Sequence, residues 1–179
     1  MKLGVYIGSF NPPHIGHIDI VNYLLNGFVD KVLIVPTNGY WNKQDLVDIK
    51  HRIAMLKFFE STDVIIDSVN NNYVYTYELM RALSIQYSYD LYLIIGADNI
   101  INFDKWKNYR ELLGYKIIVM NRDNIDIFKY ILKYDLGNFI IVNDYPFIDV
   151  SSTYIRNNLD SLLIDKRVLK YIKDNNLYR

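Results

Sequence analysis

The chain contains no cysteine, no excess of either charge and no long hydrophobic run, and each absence excludes a class of protein. Without cysteine there are no disulfides, thiolate zinc sites or cysteine nucleophiles, which is typical of a reducing compartment. Twenty Lys and Arg residues balance twenty Asp and Glu residues, whereas polynucleotide binding usually leaves a basic excess. No stretch approaches the ~18 consecutive apolar residues of a membrane span. We therefore expect no nucleic-acid partner, no membrane partner and a cytoplasmic location.

The length and composition are those of a globular chain. There are 179 residues, of which 51% are hydrophobic and 22% charged, far from the composition of disordered chains. At this length roughly two-thirds of the unfolded surface can be buried around one core. We therefore expect one domain over residues 1–179, and the sequence leaves the oligomeric state open.

Six short apolar runs alternate with stretches of helical periodicity. The runs are rich in β-branched residues and are closed by Gly, Pro, Asn or Asp, which is typical of fully buried strands. They cover residues 3–7, 32–35, 64–66, 91–95, 117–120 and 139–142. Strands that alternate with amphipathic helices predict an α/β fold with a doubly wound, mostly parallel sheet.

Apolar residues between the strands recur with the spacing of one helix face. These residues are Ile18, Val21, Leu25 and Phe28, then Ile49, Ile53 and Leu56, then Leu79, Ala82 and Leu83. After residue 142 the strand pattern stops, and two further helices are predicted, one after Ser151 and one around Val168. Residues 151–179 should thus form a small helical C-terminal subregion, and the Asn run at 70–72 predicts a surface loop.

The first strand is followed by a possible phosphate site. It ends in Gly8-Ser9-Phe10-Asn11-Pro12-Pro13-His14-Ile15-Gly16-His17, and the helical pattern begins near residue 15. Gly8 allows a ligand to approach the backbone, and the N–H groups of a helix start favour an anion. His14 and His17 are three apart, so if the helix has begun at residue 14 they share a face and can point at the same ligand. A tight loop with capping or surface histidines is the alternative. A zinc site is disfavoured, because His51 is the only other histidine.

A second candidate site is Ser151-Ser152-Thr153-Tyr154-Ile155-Arg156. Ser151 or Ser152 is suited to cap a helix, and Arg156 lies one turn beyond Ser152. Hydroxyl, amide and guanidinium groups could then converge on phosphate oxygens. A capped helix with a surface arginine is the alternative. Two such sites in one small α/β chain indicate a ligand with several phosphates, bound at the carboxyl ends of the strands.

The same two stretches resemble a known superfamily. Residues 8–17 are similar to the G-x-F-x-P-x-H-x-G-H signature of the nucleotidyltransferases, and residues 151–156 to their S-S-T-x-I-R signature. Both signatures occur in order and near the expected ends of the chain. The chain is therefore identified as a member of this superfamily, which implies a Rossmann-like nucleotidyltransferase fold.

Further stretches resemble bacterial nicotinate-nucleotide adenylyltransferases. Gly96-Ala97-Asp98, then Trp106-Lys107 and Glu111-Leu112-Leu113, are similar to that family's G-A-D, W-K and E-L-L stretch. The C-terminal residues Tyr171-Ile172…Leu177-Tyr178 are similar to the family's C-terminal Y-I…L-Y pattern. His51-Arg52 and Met55 lie at the position that the family pattern gives them in the second helix. A non-histidine residue where His14 stands is typical of pantetheine-phosphate adenylyltransferases, which disfavours that branch.

The loop after the second strand departs from the pattern of the nicotinate enzymes. Paired prolines usually precede His-Lys there, whereas this chain has Asn38-Gly39-Tyr40-Trp41-Asn42-Lys43 and keeps only the lysine. Lys43 is thus a weak candidate for a phosphate contact. The loop is also similar to that of nicotinamide-mononucleotide enzymes, so the choice between acid and amide substrate stays open.

The resemblance implies that ATP and nicotinate mononucleotide combine to nicotinate adenine dinucleotide and pyrophosphate, in NAD biosynthesis. It also implies Mg2+, carried largely by the ATP phosphates because the sequence shows no dedicated carboxylate cage. Catalytic roles are implied for His14, His17 and Arg156. ATP-binding roles are implied for Gly8, Ser9, Phe10, Gly16, Asp98, Ser152 and Thr153. Mononucleotide-binding roles are implied for Thr76, Trp106, Lys107 and Arg122.

Simpler interpretations exist for several of these residues. Asp98, expected to accept hydrogen bonds from ribose hydroxyls, could be a helix cap. Trp106, expected to stack on the pyridine ring, could be a core anchor, and Arg122 could be a surface residue. For the pair His51-Arg52 we expect a contact on the side of a helix and no catalytic role.

Other functions remain open at this point. One is transfer to nicotinamide mononucleotide or another phosphate monoester, with CTP replacing ATP in a cytidylyl branch. Another is a nucleotide-binding sensor without turnover, disfavoured because His14, His17 and Arg156 are all present. A fragment of a class I aminoacyl-tRNA synthetase would share the His-Ile-Gly-His string, but the short chain with zero net charge leaves no plausible tRNA-binding module.

Overall fold

The chain forms one six-stranded sheet in which every neighbouring pair of strands is parallel. The computed structural model describes residues 1–38, 46–121, 125–134 and 136–178. The strands are β1 (Lys2–Gly8), β2 (Lys31–Pro36), β3 (Val64–Ile66), β4 (Asp90–Gly96), β5 (Lys116–Met120) and β6 (Phe139–Val142). Their order is β3-β2-β1-β4-β5-β6, which confirms the predicted doubly wound sheet and all six predicted strands.

Helices connect the strands and follow the last of them. They are α1 (Ile15–Leu25), α2 (Ile49–Leu56), α3 (Thr76–Gln86), α4 (Ala97–Ile100), α5 (Tyr109–Leu112), α6 (Phe128–Ile131), α7 (Ser152–Asn158) and α8 (Lys166–Asp174). Short 3-10 turns cover Lys57–Phe59, Phe103–Lys105 and Leu136–Asn138. The start of α1 at residue 15 and the two helices after residue 151 agree with the sequence-based expectation. None of the helices in the described ranges is long and apolar enough to span a bilayer.

Apolar side chains cover both faces of the sheet because neighbouring residues of a strand point to opposite sides. In β2, Leu33 and Val35 belong to one buried cluster, while Val32 and Ile34 belong to the other. A third cluster joins α2 to the C-terminal helices and contains Met55, Ile155, Ile164, Val168 and Ile172. The single domain with 151–179 as a subregion stays a prediction, and this shared cluster supports it.

The strand order reverses direction between β1 and β4, which are hydrogen-bonded neighbours. From β1 the chain continues to β2 on one side, whereas β4 continues to β5 on the other. The carboxyl ends of β1 and β4 therefore flank the crevice in which doubly wound sheets bind ligands. The loop that joins β1 to α1 begins at this point.

The Asn run at 70–72 is not wholly a surface loop. Asn70 is buried, and its side-chain amide donates to Asp67 Oδ2 at 2.8 Å and to Gln86 Oε1 at 3.0 Å. Asn72 is exposed, as expected. The prediction was wrong for Asn70 because an amide that finds two acceptors can be buried at little cost.

Candidate active site

A cavity of about 500 Å³ lies at the carboxyl end of β1, within the size range of small-molecule sites. Seven residues with predicted roles line it: Ser9, His14, Gly16, His17, Ser152, Thr153 and Arg156. The two sequence signatures, more than 130 positions apart, thus meet in one cavity. No Asp or Glu occurs among its described lining residues, so the cavity offers one guanidinium and two imidazoles without a carboxylate beside them.

The two histidines of the first signature stack on each other at the start of α1. Their ring centroids lie 3.7 Å apart with an interplanar angle of 27°, so the two side chains meet as predicted, although His14 is the N-cap residue and precedes the first helical turn. The backbone N–H of His14 donates to Nδ1 of His17 over 3.2 Å. An accepting Nδ1 places the proton of a neutral ring on Nε2. His17 is therefore held as the tautomer that can donate from Nε2.

Phe10 packs against the His17 ring and is itself buried. It is 1% exposed, and its ring meets the His17 ring edge-on at 5.0 Å between centroids. A Cβ on Gly8 would lie 3.0 Å from the Phe10 ring, so this ring packs directly on the glycine backbone. Phe10 has a left-handed backbone with φ of 46°, which costs energy for a residue with a side chain. Neither Gly8 nor Phe10 lines the cavity; they shape the loop from behind.

The start of α7 is tied directly to the loop that follows β1. The Ser152 hydroxyl donates to the Pro12 carbonyl at 3.0 Å, and Arg156 Nη1 donates to the Asn11 carbonyl at 2.8 Å. Arg156 Nη2 also donates to Thr153 Oγ1 at 3.1 Å. Ser151 is the helix cap, since its side chain accepts from the backbone N–H of Tyr154. These contacts orient the guanidinium before any ligand binds.

Two functional contacts of Asn11 were missed by sequence reasoning. Its side-chain Oδ1 accepts from the Tyr178 hydroxyl at 2.8 Å and from the Val47 backbone N–H at 3.2 Å. Burial raises the pKa of Tyr178, although the nearby Arg156 and Arg52 oppose the shift. The phenol therefore keeps its proton and donates it. The resemblance of Leu177-Tyr178 to the family's C-terminal pattern indicated Tyr178, but it did not reveal that its partner is Asn11, 167 positions away.

The burial and the hydrogen bonds of Arg52 were also not predicted from the sequence. We expected a contact on the side of a helix, but Arg52 is only 1% exposed and donates to three segments near the cavity. A signal was present, because position 52 falls on the same helical stripe as the apolar Ile49, Ile53 and Leu56. His51 does make a helix-to-helix contact, with its Nδ1 3.0 Å from the Tyr171 hydroxyl.

The predicted residues for the ribose and pyridine ring do not line the cavity. Asp98 is exposed in the first turn of α4, directly after β4, and its carboxylate lies against Gly96, where any Cβ would collide with it. Thr76 begins α3. Trp106 is half-buried against Phe103, with centroids 5.5 Å apart, while Lys107 is exposed. Arg122 and Lys43 lie outside the described residues.

The described side chains include no group of three or more His, Asp or Glu residues placed to hold a metal ion. The cavity offers imidazole, hydroxyl and guanidinium groups. Such groups suit phosphate oxygens, whereas Mg2+ prefers carboxylates, water and substrate phosphates. The donor set thus fits a metal that is held by a bound triphosphate.

Gly16→Ala should disturb the site despite the higher helix propensity of alanine. A Cβ at residue 16 would lie 2.8 Å from Val150 Cγ1 and 3.2 Å from His14 Nδ1. Overpacking of this kind typically costs ~1–3 kcal/mol, against a helix gain of ~1 kcal/mol. We expect the melting temperature to fall by about 2–4 °C, together with weaker ATP binding, measured by thermal unfolding and calorimetry.

The double variant Gly16→Ala/Val150→Ala is the control, because it removes the colliding methyl group. The loss in the double variant should be smaller than the sum of the two single losses. Strict additivity would show that the 2.8 Å approach is not what makes Gly16 necessary.

Known proteins match the chain over nearly its whole length. A family model described as "Cytidylyltransferase-like" matches residues 5–158. A relative from Acholeplasma laidlawii, named "Probable nicotinate-nucleotide adenylyltransferase", is 37% identical, and the alignment covers 97% of this chain and 96% of the relative. A relative of the same name from Borreliella burgdorferi is 36% identical over 99% of this chain and 97% of its own length.

Solved structures share the fold. Nicotinic acid mononucleotide adenylyltransferase of Plasmodium falciparum, complexed with NaAD, superposes with a TM-score of 0.81 at 20% identity. The match covers 99% of this chain and 97% of that one. A second structure of the Plasmodium enzyme, complexed with APC, gives a TM-score of 0.78. Both superpositions confirm the arrangement of the sheet and its flanking helices.

Proposed function

Since the chain belongs to the nicotinate-nucleotide adenylyltransferases, within the cytidylyltransferase-like family, we propose that it transfers the adenylyl group of ATP to nicotinate mononucleotide. The products are nicotinate adenine dinucleotide and pyrophosphate, and the reaction belongs to NAD biosynthesis. One observation carries the proposal: His14, His17, Thr153 and Arg156, from both ends of the chain, line a single cavity without a carboxylate among its described residues.

The nucleophile needs little activation. The 5′-phosphate of the mononucleotide carries about −1.5 to −2 charges at neutral pH, so its oxygen attacks without a general base. A new bond forms between this oxygen and the α-phosphorus of ATP. The bond from the α-phosphorus to the α–β bridging oxygen breaks, and its electron pair leaves with pyrophosphate. The protein must therefore align two anions and offset the charge on the transferring and leaving phosphates.

The histidines at the start of α1 are suited to stabilise the transferring group. The bond from the His14 backbone to Nδ1 of His17 puts the proton of a neutral ring on Nε2, and we assign this N–H to a phosphate oxygen. Stacking at 3.7 Å fixes both rings, so no reorganisation is needed when negative charge develops. We assign His14 and His17 to contacts with the triphosphate and the transition state. Gly16 contributes because its lack of a Cβ leaves room for the His14 ring and Val150 beside it.

The start of α7 supplies the grip on the outer phosphates. Arg156 uses Nη1 and Nη2 to hold Asn11 and Thr153, and the guanidinium has three further N–H donors. We assign these donors, with the hydroxyl of Thr153, to the leaving pyrophosphate. Ser152, whose hydroxyl donates to the Pro12 carbonyl, holds the loop beside them. Ser9 lines the same cavity, and Gly8 and Phe10 hold the loop in shape.

The mononucleotide lies beside the cavity, toward β4 and the elements that follow it. We assign the ribose hydroxyls to the exposed carboxylate of Asp98, since Gly96 precedes α4 at the carboxyl end of β4. Trp106 offers an aromatic plane for the pyridine ring, and Thr76 and the Lys107 backbone N–H offer donors for its carboxylate. Arg122 is assigned to the mononucleotide phosphate.

Mg2+ would enter with ATP and neutralise charge on its phosphates when bound. The residues beside it would be the neutral and cationic donors of the cavity, which hold the phosphate oxygens that the metal leaves uncovered.

Product analysis tests the proposed function directly. ATP or CTP is incubated with nicotinate or nicotinamide mononucleotide, and dinucleotide and pyrophosphate are quantified. We expect kcat/KM with ATP and nicotinate mononucleotide to exceed each other combination by at least about tenfold, since a site built for a carboxylate discriminates against the amide. Mg2+ is omitted in a parallel series, which should abolish turnover.

Each other outcome supports a different function. Equal or greater turnover with CTP would contradict adenylyl transfer, and a preference for the amide would indicate a nicotinamide enzyme. ATP binding without pyrophosphate release would indicate a nucleotide sensor.

A further inference from the structure

Arg52 is a buried arginine that lies behind the nucleotide loop and does not line the cavity. Nε donates to the Val47 carbonyl at 3.0 Å, and Nη1 donates to the Ser9 carbonyl at 2.8 Å. Nη1 also donates to the Thr37 carbonyl at 2.5 Å, and Nη2 to Asn38 Oδ1 at 3.1 Å. One side chain in α2 therefore joins the loop after β1 to the segment after β2.

All four acceptors are neutral, so none of them compensates the positive charge of the guanidinium. No described carboxylate lies within the 4.0 Å of an ion pair with Arg52. Asp48 acts on it at longer range. Burial lowers the pKa of Arg52, but arginine stays protonated in proteins. Burying a charge without a paired carboxylate lowers the stability of the folded state. The burial of Arg52 therefore points to a role beyond stability.

The position of this charge indicates what the role is. Ser9, whose carbonyl Arg52 holds, lines the cavity with His17 and Arg156. Ser152 on Pro12 and Arg156 on Asn11 anchor the same loop from α7, and Tyr178 bonds to Asn11 from the C-terminal end of the chain. Arg52 is thus the anchor from the side of α2. Because the Arg52 guanidinium is shielded from water, its charge is screened less than the charge of a surface residue.

We propose that Arg52 is a positioning residue for the triphosphate: it fixes Ser9 in the nucleotide loop and adds buried positive charge behind the phosphates. Arg52 does not touch the substrate. The inference deepens the proposed adenylyl transfer and depends on it, because a triphosphate is the ligand that responds to both effects.

A series of adenine ligands with increasing charge separates this role from mere structural support. Dissociation constants for ATP, ADP, AMP and adenosine are measured by calorimetry at constant ionic strength, for the wild type and for Arg52→Gln. We expect Arg52→Gln to bind ATP about tenfold more weakly and adenosine less than about twofold more weakly, with ADP and AMP between them, because Coulomb energy grows with ligand charge.

Lys50→Gln is the matched control. It removes the same charge from the same helix, but the Lys50 side chain is 71% exposed. Its charge is screened by water and salt, so all four dissociation constants should stay within about twofold of the wild-type values.

Arg52→Lys separates the charge from the positioning. Lysine keeps the charge but cannot reach Ser9, Thr37 and Val47 with one planar group. We expect the dependence of affinity on ligand charge to match the wild type, while kcat falls about tenfold. This variant also tests the proposal if Arg52→Gln does not fold, which thermal unfolding will show.

The outcomes are distinct. Equal weakening of all four ligands by Arg52→Gln, or the same charge dependence in Lys50→Gln, would overturn the electrostatic role, and a wild-type kcat in Arg52→Lys would overturn the positioning role. In either case normal product formation by the wild type would leave the proposed function intact. A wild type that binds no ATP would overturn both.

Discussion

His17→Ala is expected to lower kcat/KM by about a hundred- to a thousand-fold, the usual effect of removing one donor that stabilises developing negative charge. The loss should fall mainly on kcat, because Nε2 of His17 is oriented for the charge that appears during transfer. The backbone bond to Nδ1 and the stacked His14 ring hold this donor in place beforehand. Steady-state kinetics of pyrophosphate release measures the effect.

His51→Ala is the control for this prediction. His51 bonds to Tyr171 and does not line the cavity, so its removal should leave kcat/KM within about threefold of the wild type. Thermal unfolding of both variants checks the fold. An His17→Ala protein as active as His51→Ala would show that His17 is only a helix-terminal residue.

Arg156→Ala is expected to have an effect of similar size, about a thousand-fold in kcat/KM, with both KM for ATP and kcat affected. Arginine groups that stabilise transferring phosphates commonly contribute about 10³-fold or more. This variant removes the proposed grip on the leaving pyrophosphate. It also releases the Asn11 carbonyl, which Arg156 Nη1 holds at 2.8 Å. The loop after β1 would lose an anchor at the same time as the phosphates lose a cation.

Arg156→Lys distinguishes these two losses. Lysine keeps the charge but lacks the planar fork that bonds Asn11 and Thr153 together, so we expect an intermediate loss of about ten- to a hundred-fold. Arg110→Ala, which removes an exposed arginine beside Tyr109, should change kcat/KM by less than about threefold. Activity of Arg156→Ala at the Arg110→Ala level would argue against a phosphate contact.

Both predictions concern a chain without net charge. The cavity carries its positive groups locally, on Arg156 and on donors oriented by backbone contacts, with no carboxylate among the described lining residues. A small anion needs only such local complementarity, whereas a polynucleotide requires an extended basic surface. The balanced composition is therefore compatible with a phosphate-binding enzyme.

Much of the fold followed from local patterns. Buried parallel strands require continuous apolar runs, and all six runs became strands. The change to helical periodicity after residue 15 matched α1, and the Ser151 cap set the start of α7. The signatures around His14 and Arg156 also carried the residues that meet in the cavity. Local sequence was sufficient here because the relevant interactions span only a few residues.

Buried polar contacts were harder to predict. Asn70 was assigned to the surface, and Arg52 to the side of a helix, although both are buried. Their burial depends on acceptors such as Gln86 and the Ser9 carbonyl. A polar residue has the same local pattern whether or not such an acceptor exists, so its burial cannot be inferred from neighbours in the sequence.

By itself the sequence determined the strands, the principal helices and the two signatures that suit phosphate, because apolar periodicity and helix capping act over one or two turns. Only the tertiary structure decided that Arg156 would hold Asn11 from 145 positions away, and that Tyr178 would reach the same residue from 167. These partners are chosen by the strand order and by helix packing, which bring distant carbonyls and donors together at the carboxyl end of β1. No local sequence pattern indicates these contacts, since they form only once the sheet has formed.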